Sequence, residues 1–303
     1  KRRYTSYIYT DTMRKLIQGG TIVNEGQMLN GAIVIEDNRI VAIIPENEAP
    51  RSNFDEIIDA TGCFVIPGVI DTHVHFREPG MEDKANIESE SRAAAYGGVT
   101  SFCEMPNTNP QTTTIDALND KFERAKHSSH INYSFFFGAT NTNSDTIKQL
   151  DKHLVPAVKL FMGASTGNML VDRRNALESI FATAAAEGLP VMTHCEDSGI
   201  INENMKEAKA RYGDDPDISH HYEIRSEKAC YESSRLAVEL ALKHKTRLHI
   251  AHLSTARELD LLQQPHAKDF VTNQVSENAS VQFLWEDISF FNIGLKPLQM
   301  STS

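Results

Sequence analysis

From residue 63 onward, short apolar, β-branched runs alternate with helical stretches, and this rhythm constrains the fold more than any other feature of the chain. Strands are predicted at 63–76, 100–105, 132–138, 157–162, 190–195 and 247–253, and helices at 84–97, 115–127, 143–150, 173–187 and 225–244. Strands separated by helices run parallel, because a helical crossover returns the chain to the end of the sheet from which it started. The fold class is therefore α/β, and the number of repeats favours a (β/α)8-type barrel over a short open sheet. A doubly wound sheet is the alternative, weakened because no glycine-rich phosphate fingerprint follows the first strand. Six strands are legible before the pattern fails near Leu262, so the barrel of residues 63–262 reads as incomplete after strand six. Residues 263–303 read as a divergent or truncated C-terminal segment.

Ahead of the barrel, residues 13–62 carry Thr21-Ile22-Val23, Ala32-Ile33-Val34-Ile35 and Arg39-Ile40-Val41-Ala42-Ile43-Ile44, separated by Asn-Glu-Gly and Asp-Asn turns. This predicts a small antiparallel β domain. Residues 1–12, which precede Met13, are read as a tag or upstream extension. A net charge of −11 over 303 residues provides no basic footprint for nucleic acid. No apolar run reaches membrane-spanning length, and residues 1–12 lack the apolar centre of a signal peptide. Cys63, Cys103, Cys195 and Cys230 are too scattered to suggest a disulfide frame, so a cytoplasmic protein with reduced thiols is expected.

Active groups of such barrels sit at the carboxyl ends of the strands, and the polar oddities of this chain fall there repeatedly. Strand one ends in Asp71-Thr72-His73-Val74-His75-Phe76-Arg77, where residues two apart share a face and two imidazoles would stand beside a guanidinium. Neutral imidazole is a common zinc ligand, and Arg binds carboxylates in a bidentate fork. Strand two runs into Glu104-Met105-Pro106-Asn107, strand five ends in Thr193-His194-Cys195-Glu196, and strand six in His249-Ile250-Ala251-His252. Taken singly, His194 or His252 fits a hydrogen-bonded structural residue, and Asn107 fits its Pro-Asn turn. Lys159, inside Ala157-Val158-Lys159-Leu160-Phe161-Met162, is harder to dismiss: an ammonium in a buried apolar strand must be paired, neutralised or chemically converted. Reaction of its neutral amine with carbon dioxide gives a carbamate, whose two oxygens could bridge two divalent metals.

Taken together, His73-Val74-His75-Phe76-Arg77-Glu78-Pro79-Gly80, Met105-Pro106-Asn107-Thr108-Asn109-Pro110, Val158-Lys159-Leu160-Phe161, Thr193-His194-Cys195-Glu196 and His249-Ile250-Ala251-His252-Leu253-Ser254 resemble dihydroorotases of the amidohydrolase superfamily. The resemblance runs in order over residues 15–262. It implies a zinc-dependent cyclic amidohydrolase interconverting N-carbamoyl-L-aspartate and L-dihydroorotate in pyrimidine biosynthesis. It further implies two zinc ions, one on His73 and His75, the other on His194 and His252, bridged by N6-carboxylated Lys159. Arg77 and Asn107 match the residues that hold the substrate carboxylate. The expected partner is this small molecule, with neither nucleic acid nor membrane, and a homo-oligomer is compatible with the sequence.

Allantoinases and dihydropyrimidinases share the fold and ligands but act on neutral rings, which do not call for a cation such as Arg77. The family's proton-shuttle aspartate lies in an Asp-His-Ala-Pro-His type motif that this sequence lacks, and neither Asp269 nor Asp287 stands in a comparable context. The catalytic shuttle is therefore unassigned. A catalytically silent dihydroorotase-like fragment or partner subunit stands as the alternative to an active hydrolase.

Overall fold

The computed structural model describes residues 12–48, 53–163 and 169–275. The chain divides into two compact units, residues 1–69 and 70–303.

In the first unit, β1 (Arg14–Asn24), β2 (Gln27–Glu36) and β3 (Arg39–Pro45) form the expected antiparallel meander. The β1–β2 hairpin turns on Glu25 and Gly26, with φ of 49° and 72°, and a two-residue loop of positive φ matches the right-handed twist of its flanking strands. The antiparallel expectation fails for β4 (Glu56–Asp59) and β5 (Phe64–Val65), which both pair parallel to β1. Phe64–Val65 is thus part of this sheet rather than the start of the first barrel strand. Pro67, lacking an amide proton, interrupts the run that the sequence reads as one strand over 63–76. Leu16, Ala32 and Val34 form the core of the unit, with Ala42, Ile44 and Phe54 packed against it.

The second unit is a parallel wall. Its strands are β6 (Val69–Val74), β7 (Val99–Glu104), β8 (Asn132–Phe135), β9 (Phe137–Gly138), β10 (Val158–Phe161), β11 (Val191–His194), β12 (Leu248–Leu253) and β13 (Val271–Val275). The strands run in the order β6-β7-β8 and β9-β10-β11-β12-β13. β8 and β9 are one strand interrupted at Phe136, whose N–H still reaches the Glu104 carbonyl at 3.0 Å and so continues the pairing with β7. Between the strands lie α1 (Ile87–Tyr96), α2 (Ile115–Ser128), α3 (Arg174–Glu187), α4 (Ser198–Tyr212), α5 (His221–Ile224), α6 (Glu227–His244), α7 (Leu259–Leu262) and α8 (Ala267–Phe270). Asn86 and Thr114 cap α1 and α2 by accepting from Ser89 N and Ala117 N, satisfying amides the helices leave unpaired.

Three expectations are corrected. The helix predicted at 143–150 is a 3-10 turn over Ser144–Gln149, anchored by the Asn143 side chain on Thr140 N and the Gly138 carbonyl. The polar stretch after residue 197 contains α4, whose Ile201, Met205 and Ala208 recur at helical spacing within an otherwise largely polar sequence, with only Ala208 buried. The repeat does not stop at Leu262: β13 pairs parallel with β12 as a further wall strand. It follows the one-turn helices α7 and α8, which are too short to show a period.

Alternation along the strands separates two cores. Phe102, Phe135, Leu160, Val191 and Leu248 pack with helix residues such as Phe181 and Val238. Cys103, Met105, Phe136, Ala157, Met192 and Ala251 form a second cluster on the opposite face of the wall. Each fully buried large apolar side chain contributes about 1.5–3 kcal/mol, so these layers hold the wall rigid under the groups at its carboxyl ends. Lys159, two residues from Ala157, falls on the side of the second cluster. No described helix is long and apolar enough to cross a membrane.

Candidate metal centre

His73 stands near the end of β6, which closes at Val74, so His75 and Arg77 lie beyond the strand and not on its pleat. Their placement comes from the turn that follows. Arg77 adopts φ 71°, and its amide donates to Glu104 Oε1 at 3.0 Å. Glu104 is wholly buried and pairs with the equally buried Lys121 of α2 at 3.1 Å, while Lys121 Nζ also donates to the Met105 carbonyl at 3.0 Å. Burial pushes the Glu104 carboxyl up and the Lys121 ammonium down, and each charge opposes the other's shift. The His73 and His75 rings are 5.4 Å apart.

Lys159 lies in the middle of the wall. Its Nζ is buried with no hydrogen-bond partner among the described residues, 5.0 Å from the centre of the Phe161 ring, and burial pulls the amine down to about 7. On the neighbouring strand exits, His194 Nδ1 and His252 Nε2 face each other at 3.0 Å, and the His252 ring lies 5.6 Å from His73. His194 Nε2 meets Glu196 Oε2 at 2.7 Å, and the same oxygen accepts from Arg225 Nη1. The wall therefore brings His73, His75, Lys159, His194 and His252 to one place.

The imidazoles of His73, His75, His249 and His252 are held in their neutral form. Burial, reinforced by the Lys159 charge, drives His73 down to about 2, and burial, then Arg77 and Lys159, drives His75 to about 4. Burial followed by the charge of His194 takes His252 to about 3, and burial takes His249 to about 4. A neutral imidazole keeps a lone pair, which metal coordination requires. Arg77 acts on His75 through its charge, and the Asn107 side chain hydrogen-bonds to His75. Among the described residues no three His, Cys, Asp or Glu side chains already stand as a ligand set. The imidazoles instead bond to one another and to neighbouring side chains, and the central residue is an amine.

Several participants escaped the sequence reading. Gln274 on β13 places Nε2 3.0 Å from His73 Nδ1, and its Oε1 lies 3.5 Å from His249 Nε2, while His249 Nδ1 meets Thr272 Oγ1 at 2.9 Å. Gln274 belongs to a strand with no periodic signature. Arg225 and Lys121 carried no sequence signal either. Glu196 did carry one, through its spacing of two from His194.

A wall of parallel strands with chemistry-bearing side chains gathered at its carboxyl ends defines a barrel-type enzyme scaffold. Residues 64–279 match the amidohydrolase family, and the chain belongs to that family. It is 32% identical over 244 residues to a dihydroorotase of Methanosphaera stadtmanae, covering 77% of this chain and 54% of the relative. An allantoinase of Desulfitobacterium hafniense is 30% identical over 261 residues, covering 84% of this chain and 56% of that protein. Among solved structures, the L-hydantoinase (dihydropyrimidinase) of Arthrobacter aurescens superposes with a TM-score of 0.80 at 26% identity, covering 86% of this chain and 58% of that one. These likenesses support the (β/α)8 barrel class with an N-terminal β domain. The chain spans a little over half the length of the relatives it matches.

Proposed function

We propose that this chain carries the catalytic barrel of a dihydroorotase-type cyclic amidohydrolase, a cytoplasmic enzyme interconverting N-carbamoyl-L-aspartate and L-dihydroorotate. The observation that carries the reading is the Lys159 amine, buried with no hydrogen-bond partner among the described residues and close to His73, His75 and His252, which burial holds neutral. An amine so placed favours its uncharged form, the form that adds to carbon dioxide; a new N–C bond forms, a proton leaves, and an anionic carbamate results. His73 and His75 would hold one divalent cation, His194 and His252 a second, and a carboxylated Lys159 would serve as a shared anionic ligand. Two zinc ions held there would supply Lewis-acid polarisation of the ring amide carbonyl and an acidified water.

The chain's own residues bind and orient. Arg77, whose charge already reaches His75, pairs with the exocyclic carboxylate of dihydroorotate, and Asn107 adds an amide donor beside it. This fixes the scissile carbonyl over the histidine cluster, where orientation alone lowers the barrier. The Glu104 carboxylate on the Arg77 amide holds that turn in place. The allantoinase and hydantoinase likenesses favour a second reading, hydrolysis of a neutral ring. Arg77→Ala separates the two. Stripping a buried carboxylate of its charged partner costs about 2–5 kcal/mol, so kcat/KM for dihydroorotate falls by roughly 30- to several-thousand-fold. Undiminished turnover of dihydroorotate, with allantoin or dihydrouracil as the better substrate, rejects the dihydroorotase reading. In the same preparations Lys159→Ala is expected to lower bound zinc below two ions per chain, and normal loading in that variant rejects the bridge.

A further inference from the structure

Glu196 and Arg225 take no part in the function proposed above, yet they stand directly behind one of its histidines. Glu196 follows β11 by two residues and is 7% exposed. A carboxylate can only accept, so its contact with His194 at 2.7 Å places the ring proton on Nε2. The other nitrogen, Nδ1, is the one that faces away from the carboxylate and toward His252 Nε2, 3.0 Å away. Arg225 Nη1 donates to the same Glu196 oxygen and holds the carboxylate in register.

Both members are built into the fold. A Cβ at Gly163 would stand 1.9 Å from the Glu196 carbonyl oxygen, so the exits of β10 and β11 meet only because that position is glycine. Arg225 enters from the connection between α5 and α6. Asn204 of α4 fixes that connection by donating to the Ile224 carbonyl and the Ser226 hydroxyl, both at 3.0 Å, one on each side of Arg225. Helix α4 therefore anchors the arginine that orients the carboxylate that orients the imidazole.

We infer that Glu196, held by Arg225, is a positioning residue that selects Nδ1 of His194 as the metal-facing nitrogen. The inference rests on the metal-centre reading above. An imidazole freed from its carboxylate can rotate or exchange tautomers, and loss of such a partner typically weakens metal affinity about 10–100-fold. A tie that merely joined the α5–α6 connection to β11 would change stability without discriminating between two metal positions.

Titration of the metal-free protein with Co²⁺, followed by its visible d–d bands and by competition with a chelator, decides the matter. The wild type is expected to take up two ions. In Glu196→Ala and Arg225→Ala the affinity for one ion falls about 10–100-fold with altered bands, while the other ion is held as before. Arg225→Lys, which keeps a charged donor, restores much of the loss. Wild-type affinity for both ions in the Ala variants overturns the inference, as does equal weakening of both ions in step with a lowered melting temperature. A wild-type protein that binds no Co²⁺ overturns the metal-centre reading and this inference with it, so the two failures are distinguishable.

Discussion

Glu104 and Lys121 show how much can depend on one buried pair. Both side chains are out of solvent, 3.1 Å apart, and the carboxylate also carries the Arg77 amide. Taking two ions out of water is costly, and the pair stands because each compensates the other. Lys121→Met leaves an uncompensated carboxylate beside the turn that presents Arg77, and a loss of about 3–5 kcal/mol is expected in urea unfolding. The double substitution Glu104→Gln with Lys121→Met should recover most of it, because the amide oxygen can still accept from Arg77. A single variant as stable as wild type would show that the pair contributes nothing. At this scale the sequence exposes residue types but not their pairings. His73, His75 and Lys159 stand out by their place in or just after an apolar run, whereas Lys121 looks like any helical lysine until α2 packs its ammonium against Glu104.

At the scale of elements, α3 and α6 are tied through Glu178. Its carboxylate takes Lys243 Nζ at 2.8 Å on both oxygens, His244 Nε2, and Arg174 of its own helix at 3.3 Å. Hydrogen bonds from Lys243 and His244 hold the carboxyl down to about 2, against an ordinary value of 4.5. The folded state therefore prefers the ionised form more than the unfolded chain does. The stabilisation is complete above about pH 4.5 and disappears as pH falls through about 2. Melting temperatures of wild type and Glu178→Gln should differ at pH 6, converge toward pH 2, and converge also in high salt, since the cluster is partly open to solvent. A difference independent of pH would show that packing, not charge, joins the helices. Elements with a strong period, such as α2, α3 and α6, lie within two residues of their sequence limits. The misread ones carried thinner signals: α4 sets Ile201, Met205 and Ala208 in an otherwise polar sequence, and β13 is five residues behind two single turns.

For the molecule as a whole, the wall sets a gradient of stability. β10, β11 and β12 are hydrogen-bonded on both sides and buried on both faces, whereas β6 ends its sheet path with Val69 and Ile70 each 44% exposed. Amide exchange followed by mass spectrometry should find β10–β12 slowest and β6 clearly faster, because protection follows burial and two-sided pairing. Uniform protection across the wall would contradict this. The sequence by itself determined the alternation of strand and helix, hence the parallel wall, and the clustering of imidazoles, lysine and arginine at its carboxyl ends. Those are local properties, written in the spacing of apolar residues and in what terminates each run. Only the tertiary structure decided the partners: Gln274 beside His73 across 201 positions of sequence, Arg225 on Glu196, and Lys121 under Glu104. Each pairing depends on how far the wall curves and on which face a helix turns inward. These are set by the packing of the whole unit, and no short stretch of sequence encodes them.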